Sequence, residues 1–179
     1  MNNNSRRMAH RPNAQGMVEF ALILPILLML LMGIIDFGWL TFNYVQLQNG
    51  LREALRYGSV PSFASATTDS ERDCPNIYAQ IINLAPMSGV KASQITVYYD
   101  HGYSTGPTDV SSRVFATCDP SGNVVLPSTT TLANGDRIRV DINANVRFLT
   151  PFFSTWVRSG LLFQYRGART LFPSGVPVG

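Results

Sequence analysis

Residues Phe20–Ile35 read FALILPILLMLLMGII, 16 positions without a charge, and the apolar pattern resumes after Asp36 as FGWLTF, ending at Phe42. At the helical rise the uncharged run spans roughly 24 Å and the whole stretch roughly 34 Å, on either side of the ~30 Å hydrocarbon layer of a bilayer. The run holds eleven Leu, Ile and Phe residues. Each contributes about −0.3 to −0.6 kcal/mol on insertion, whereas one aspartate costs about +3 kcal/mol even at the centre. Insertion wins, and a membrane-crossing helix is predicted. Two other uses of such a run fit less well. A cleaved secretory signal has a shorter apolar middle, and the nearest small-x-small site, Ala64-Ser65-Ala66, lies more than twenty residues past the apolar end. A buried core helix would need apolar elements on every side, and no other segment is long or apolar enough to supply them.

Working outward, the flanks set a direction. Arg6, Arg7 and Arg11 precede the span, and the next basic residue, Arg52, lies well beyond it. The bias of positive charge toward the cytoplasm predicts a cytoplasmic N-terminus and an extracytoplasmic remainder. Phe37, Trp39, Phe42 and Tyr44 form an aromatic cluster where the helix leaves the far face. Those three arginines also account for the whole formal charge of +3, since residues 12–179 hold 11 basic and 11 acidic side chains. A balanced body lacks the clustered cations that displace counterions from phosphate, which argues against nucleic acid as a partner.

Three residues in or beside the span stand out. Glu19 opens the apolar run, where a carboxylate is either solvated at the interface or paired with a positive charge from another molecule. Pro25 removes one amide donor and frees a carbonyl a turn earlier. Membrane helices tolerate this, so a kink is predicted and not a break. Asp36 has the same two readings as Glu19: a solvated anchor at the outer interface or an intersubunit contact.

The order of these features carries a resemblance. Gln15-Gly16-Met17-Val18-Glu19-Phe20-Ala21-Leu22, then Leu24-Pro25, then Gly33-Ile34-Ile35-Asp36-Phe37-Gly38, and finally Gln48-Asn49, Leu51-Arg52-Glu53-Ala54 and Arg56-Tyr57 resemble the TadE-like pseudopilins, minor pilin-like proteins of bacterial tight-adherence (Flp-type) pili. The close likeness covers residues 15–60. Leu149-Thr150-Pro151-Phe152 is a weaker echo of a threonine-proline element that many such proteins carry downstream. The resemblance implies that a prepilin peptidase removes the basic leader, cutting within Ala14, Gln15, Gly16 and Met17. The new terminal amine can then pair with the Glu19 position of a neighbouring subunit. A cut after Gly16 leaves Glu19 third in the mature chain, and a cut after Ala14 leaves it fifth.

Beyond the membrane the helical spacing continues through Tyr44, Leu47, Leu51 and Ala54 or Leu55, predicting one helix from about 17 to 58 that stops at Gly58. Its outer apolar stripe must be covered by the chain's own C-terminal domain. Residues 59–73 read as a polar linker. Asp73 caps a short helix with Pro75 in its first turn and an apolar face of Ile77, Ile81, Ile82 and Ala85. The period then changes to two: Ile95, Val97 and Tyr99 in one strand, and Val114–Cys118 with Val124–Leu126 about a DPSGN turn. The clearest strand, Asp136–Phe148, places Ile138, Val140, Ile142, Ala144, Val146 and Phe148 on one face and polar residues on the other; a last strand lies near Leu161–Leu171. One wet face and one buried face define an antiparallel sheet. The predicted fold class is α+β, a long N-terminal membrane-spanning helix continuing into a spine packed on a small antiparallel sheet. Its organisation is a leader over 1–16, the helix over 17–58, a linker over 59–73, an extracytoplasmic domain over 74–172 and a tail over 173–179.

Cys74 and Cys118 are too few for a four-ligand zinc site, and outside the cytoplasm a disulfide between them can persist; two free thiols are the alternative. Of the two histidines, His10 lies in the leader. His101, beside Asp100 and with Asp109 as the nearest further acid, reads better as a turn residue than as a base or ligand. Gly102–Pro107 reads as a surface loop, and no P-loop, dinucleotide, nucleophile-elbow or zincin motif occurs. The expectation is therefore no enzyme, no cofactor and no metal. The predicted function is a structural or assembly subunit of a tight-adherence pilus, with membrane lipid, prepilin peptidase and other pilin-like subunits as partners. The alternative is a solitary membrane-tethered extracytoplasmic binding domain.

Overall fold

The computed structural model describes residues 13–60, 63–65, 68–102, 114–122, 124–125, 132 and 135–171. The expected tail, Asp109 and most of the loop after Gly102 lie outside the described residues, as do residues 1–12 of the leader. Helix α1 runs unbroken from Asn13 to Ser59, 47 residues, straight through Pro25. It starts four residues before the predicted position and overruns Gly58 by one. At the standard rise it is about 70 Å long, more than twice the hydrocarbon thickness.

Two short strands follow, β1 (Phe63–Ser65) and β2 (Thr68–Asp69), paired antiparallel. The segment predicted as a polar linker thus contains a pair of strands. Its end, a 3-10 turn over Ser70–Arg72, buries Ser70 and Glu71. Ser70 Oγ donates to the Val60 carbonyl, and Tyr99 OH donates to the Glu71 carbonyl. A polar segment shows no apolar period even when its backbone groups bond to the core, so this docking was invisible to pattern reading.

Helix α2 (Cys74–Leu84) is capped as expected: Asp73 accepts from the Asn76 amide at 3.3 Å, and Pro75 sits in the first turn. Strands β3 (Ile95–Asp100), β4 (Val114–Cys118), β5 (Val124–Val125) and β6 (Arg137–Val146) come next. A one-and-a-half-turn helix α3 (Pro151–Trp156) and strand β7 (Leu161–Thr170) close the described chain. The sheet order is β5-β4-β3-β6-β7, every pair antiparallel. In register, Val97 faces Val140 and Tyr99 faces Ile138, while Ile142 faces Tyr165 across β6 and β7. Ile138, Val140, Ile142, Ala144 and Val146 are buried, and the alternating polar residues of β6 line the open face. The fold is α+β.

The outer half of α1 covers the β6–β7 side of the buried face, and α2 covers the β3–β4 side. Helix α1 runs antiparallel to β6: a Cβ at Gly58 would meet Ile138, and Trp39 Nε1 donates to the Arg147 carbonyl at 3.2 Å. Between those contacts the helix climbs about 28 Å and the strand about 30 Å, so the two stay level along their length. Leu47, Leu51, Ala54 and Leu55 form the helix's buried stripe. Two glycines allow the close approach. A Cβ at Gly50 would lie 3.1 Å from Ile81 Cα on α2, and one at Gly167 would lie 2.5 Å from Leu55 Cδ1.

Candidate membrane and assembly helix

The inner half of α1 is bare. Its most apolar 18-residue window has a mean hydropathy of 2.7 and none of it is buried, and the apolar side chains from Met17 to Ile35 point outward on every side. Water would penalise that surface at about 25 cal/mol per Å², whereas lipid accepts it. The core helix of a water-bathed domain would be covered by its neighbours; this one is not. It is long, apolar and bare enough to cross a membrane, which fits a membrane-anchored protein.

Glu19 stands exposed on the first turns of this helix. The candidate processing residues Ala14–Met17 occupy the helix's opening turn, just before it. A Cβ placed on Gly16 or on Gly38 would meet nothing within 4 Å. Glycine weakens a helix interior by roughly 1 kcal/mol relative to alanine, and packing against the described residues does not account for either glycine.

Asp36 behaves differently. It is only 2% exposed. Its Oδ1 accepts from the backbone amides of Leu149 and Thr150, both at 2.9 Å, and Thr150 Oγ1 donates to Oδ2. The carboxylate thus bonds inside its own chain, a third arrangement that neither sequence expectation named. A turn lower, Phe153 lies 3.9 Å from the position a Gly33 Cβ would take. The Leu149–Phe152 element is therefore the other half of a joint between the membrane helix and the outer domain. The signal was present in the sequence as two separate short motifs, but nothing in either said that they meet. Just above, Tyr44 packs against Phe163 and Tyr165. Thr41 and Asn43 donate back to the Phe37 and Trp39 carbonyls.

Residues 14–56 match the family of TadE-like proteins. This segment resembles TadE-like proteins. It takes in the bare helix, Glu19, Asp36 and most of the covered spine; the sheet and α2 lie beyond the TadE-like match. Neither the curated proteins nor the solved structures include a significant match to the chain. TadE-like proteins are a structural, pilus-associated family, and the likeness covers less than half of this chain.

The remaining candidates are structural. Cys74 and Cys118 form a disulfide, with Cα atoms 5.5 Å apart, tying the start of α2 to the end of β4. Tyr78 OH donates to the Cys118 carbonyl at 3.0 Å. His101 Nδ1 lies 2.9 Å from Asp136 Oδ1, and its ring stacks on Phe115. Asp100 is held by Arg137 through two bonds of 2.7 and 2.9 Å and by the Gly102 amide. Burial pushes the Asp100 carboxyl up, but the Arg137 guanidinium and the amide outweigh it and hold it below the usual range. Among the described residues no three His, Cys, Asp or Glu side chains converge as a metal site would require.

Proposed function

We propose that this chain is a minor pseudopilin, a structural or assembly subunit of a bacterial tight-adherence pilus or a related secretion apparatus. Its basic leader is removed by a prepilin peptidase within Ala14–Met17. Its N-terminus faces the cytoplasm and its sheet domain lies outside. Glu19 then pairs with the terminal amine of a neighbouring pilin-like subunit, neutralising two charges that lipid would otherwise penalise.

The observation that carries this reading is the bare helix with Glu19 at its head, rigidly joined to its domain at Asp36. A subunit that must pass from bilayer to filament keeps an uncovered apolar helix to exchange lipid for protein neighbours, and a fixed joint transmits that packing to the outer domain. A solitary tether requires neither. Gly38, which no packing against the described residues explains, supports close approach by another helix.

Glu19→Gln keeps the size and removes the charge. In a strain whose filaments depend on this protein, it is expected to abolish or sharply reduce filament assembly while leaving the protein's level and membrane insertion unchanged. Normal filaments carrying the variant, with an unprocessed terminus by mass spectrometry, would overturn the proposal and leave the tether.

A further inference from the structure

The joint at Asp36 has a depth. If Glu19 marks one face of the bilayer, ~30 Å of hydrocarbon takes about twenty residues of helix, which places the other boundary near Trp39. Asp36 and Gly33 then lie roughly 5 and 9 Å inside that boundary. Yet these are the residues that hold Leu149, Thr150 and Phe153. We propose that this end of the outer domain, made of Leu149, α3 and the start of β7, is itself embedded in the lipid leaflet on the domain's side.

The chemistry of the segment suits lipid. Phe148–Val157 reads FLTPFFSTWV, ten residues without a charge. Leu149 is 57% exposed and Leu162 60%, and Val157 and Leu161 are exposed beside them. Phe152 and Phe153 stack edge to face, and Phe148 packs on Phe153. The hydroxyls of Thr150, Ser154 and Thr155 and the carboxylate of Asp36 are satisfied from within, as hydrocarbon demands. Ser154 and Thr155 hydroxyls donate to the Pro151 carbonyl at 3.0 and 2.6 Å, Thr150 bonds Asp36, and the Asp36 carboxylate takes two amides. Arg147 and Arg158 bracket the apolar segment, with stems long enough to carry their guanidinium groups up to lipid phosphates.

The occupant is lipid and not a second copy because this surface is continuous with the bare helix. Phe153 touches the helix at Gly33, within the stretch whose other sides face the hydrocarbon. The embedded tip also explains how an aspartate is tolerated at this depth. The proposal needs only the membrane-crossing helix and stands apart from the pilus reading.

The test is photo-crosslinking of the full chain, reconstituted at one copy per phosphatidylcholine nanodisc. Leu149→p-benzoylphenylalanine and Leu162→p-benzoylphenylalanine are compared with the same replacement at Asn143, exposed on β6 farther from the joint. Retention of the Cys74–Cys118 bond verifies folding. Covalent phospholipid adducts at 149 and 162, several-fold above those at 143, are the expected result. If the Leu149 variant fails to fold, the solvent-accessible Leu162 decides alone. Adduct levels no higher than at 143 overturn the proposal. So do protein–protein adducts in two-copy discs without lipid adducts in single-copy discs, which would assign the tip to a second copy.

Discussion

Asp36 and Thr150, 114 residues apart, are bound to each other twice: the Thr150 amide donates to Oδ1 at 2.9 Å and the Thr150 hydroxyl donates to Oδ2. With the Leu149 amide on the same Oδ1, one buried carboxylate closes a loop with a sequence separation of 114. Removing it leaves two backbone donors without their acceptor, at a cost of about 1–3 kcal/mol. Asp36→Ala is expected to lower the free energy of unfolding in detergent by that amount. It should also expose the Leu149–Pro151 backbone to limited proteolysis. Asp36→Asn, which keeps an amide oxygen to accept from Leu149 and Thr150, is expected to lose less. Equal loss in the two variants would mean that charge, not acceptance, holds the joint.

The disulfide predicts a second, larger effect. The bond closes a loop with a sequence separation of 44, for which the chain-entropy relation gives about 4 kcal/mol. Replacing both cysteines with alanine, or reducing the bond, is expected to shift denaturant unfolding of the sheet domain by roughly that amount. Insertion of the inner half of α1 should be unaffected, since none of its contacts involve α2 or β4.

Gly50 and Gly38 test packing on two different sides of the same helix, about 120° apart. A Cβ at Gly50 meets α2 backbone at 3.1 Å, and backbone cannot rotate aside as a side-chain tip can. Gly50→Val is expected to destabilise the domain by about 1–3 kcal/mol. Gly38→Ala enters open space and should leave stability unchanged or raised by up to about 1 kcal/mol. Impaired assembly with Gly38→Ala despite intact folding would report a neighbour on that face.

Alkaline pH should unfold the domain through its tyrosines. Burial, with Asp73 accepting from Tyr57 and Asp141 accepting from Tyr98, pushes both phenols up to about 12; burial raises Tyr165 to about 12 as well. Each group is held protonated more firmly when folded than unfolded. Their stabilisation is therefore complete below about pH 10 and is lost as pH climbs from about 10 to 12. Unfolding followed against pH by circular dichroism should show stability level up to pH 10 and falling above it. Tyr57→Phe and Tyr98→Phe should each flatten part of that fall.

Much of the architecture could be read from period alone. The alternation from Ile138 to Val146 foretold a one-sided sheet strand, which stops two residues short of the predicted Phe148, and the spacing of Leu47, Leu51 and Ala54 foretold the covered spine, because burial leaves its period in residue choice. Asp73 and Pro75 marked the start of α2 through local cap chemistry, which needs no distant partner. The misses share a cause. Asp36–Thr150, Trp39–Arg147 and Tyr99–Glu71 join groups 114, 108 and 28 positions apart, and the acceptors in the last two are backbone carbonyls. A carbonyl is present at every residue and leaves no trace in sequence. Glu19 was the opposite case: conspicuous as a charge before an apolar run, its position is legible from one line of letters, while its role depends on a molecule outside the chain.

Because α1 is held by α3 at Gly33 and along β6 from Trp39 to Gly58, the membrane rod and the outer sheet turn as one crank. On an ideal helix the 17 steps from Glu19 to Asp36 leave the two side chains about 100° apart around the axis. Whatever molecule fixes the compass bearing of Glu19 in the bilayer therefore also fixes the direction in which the polar face of the sheet looks, some 50 Å away along the same shaft.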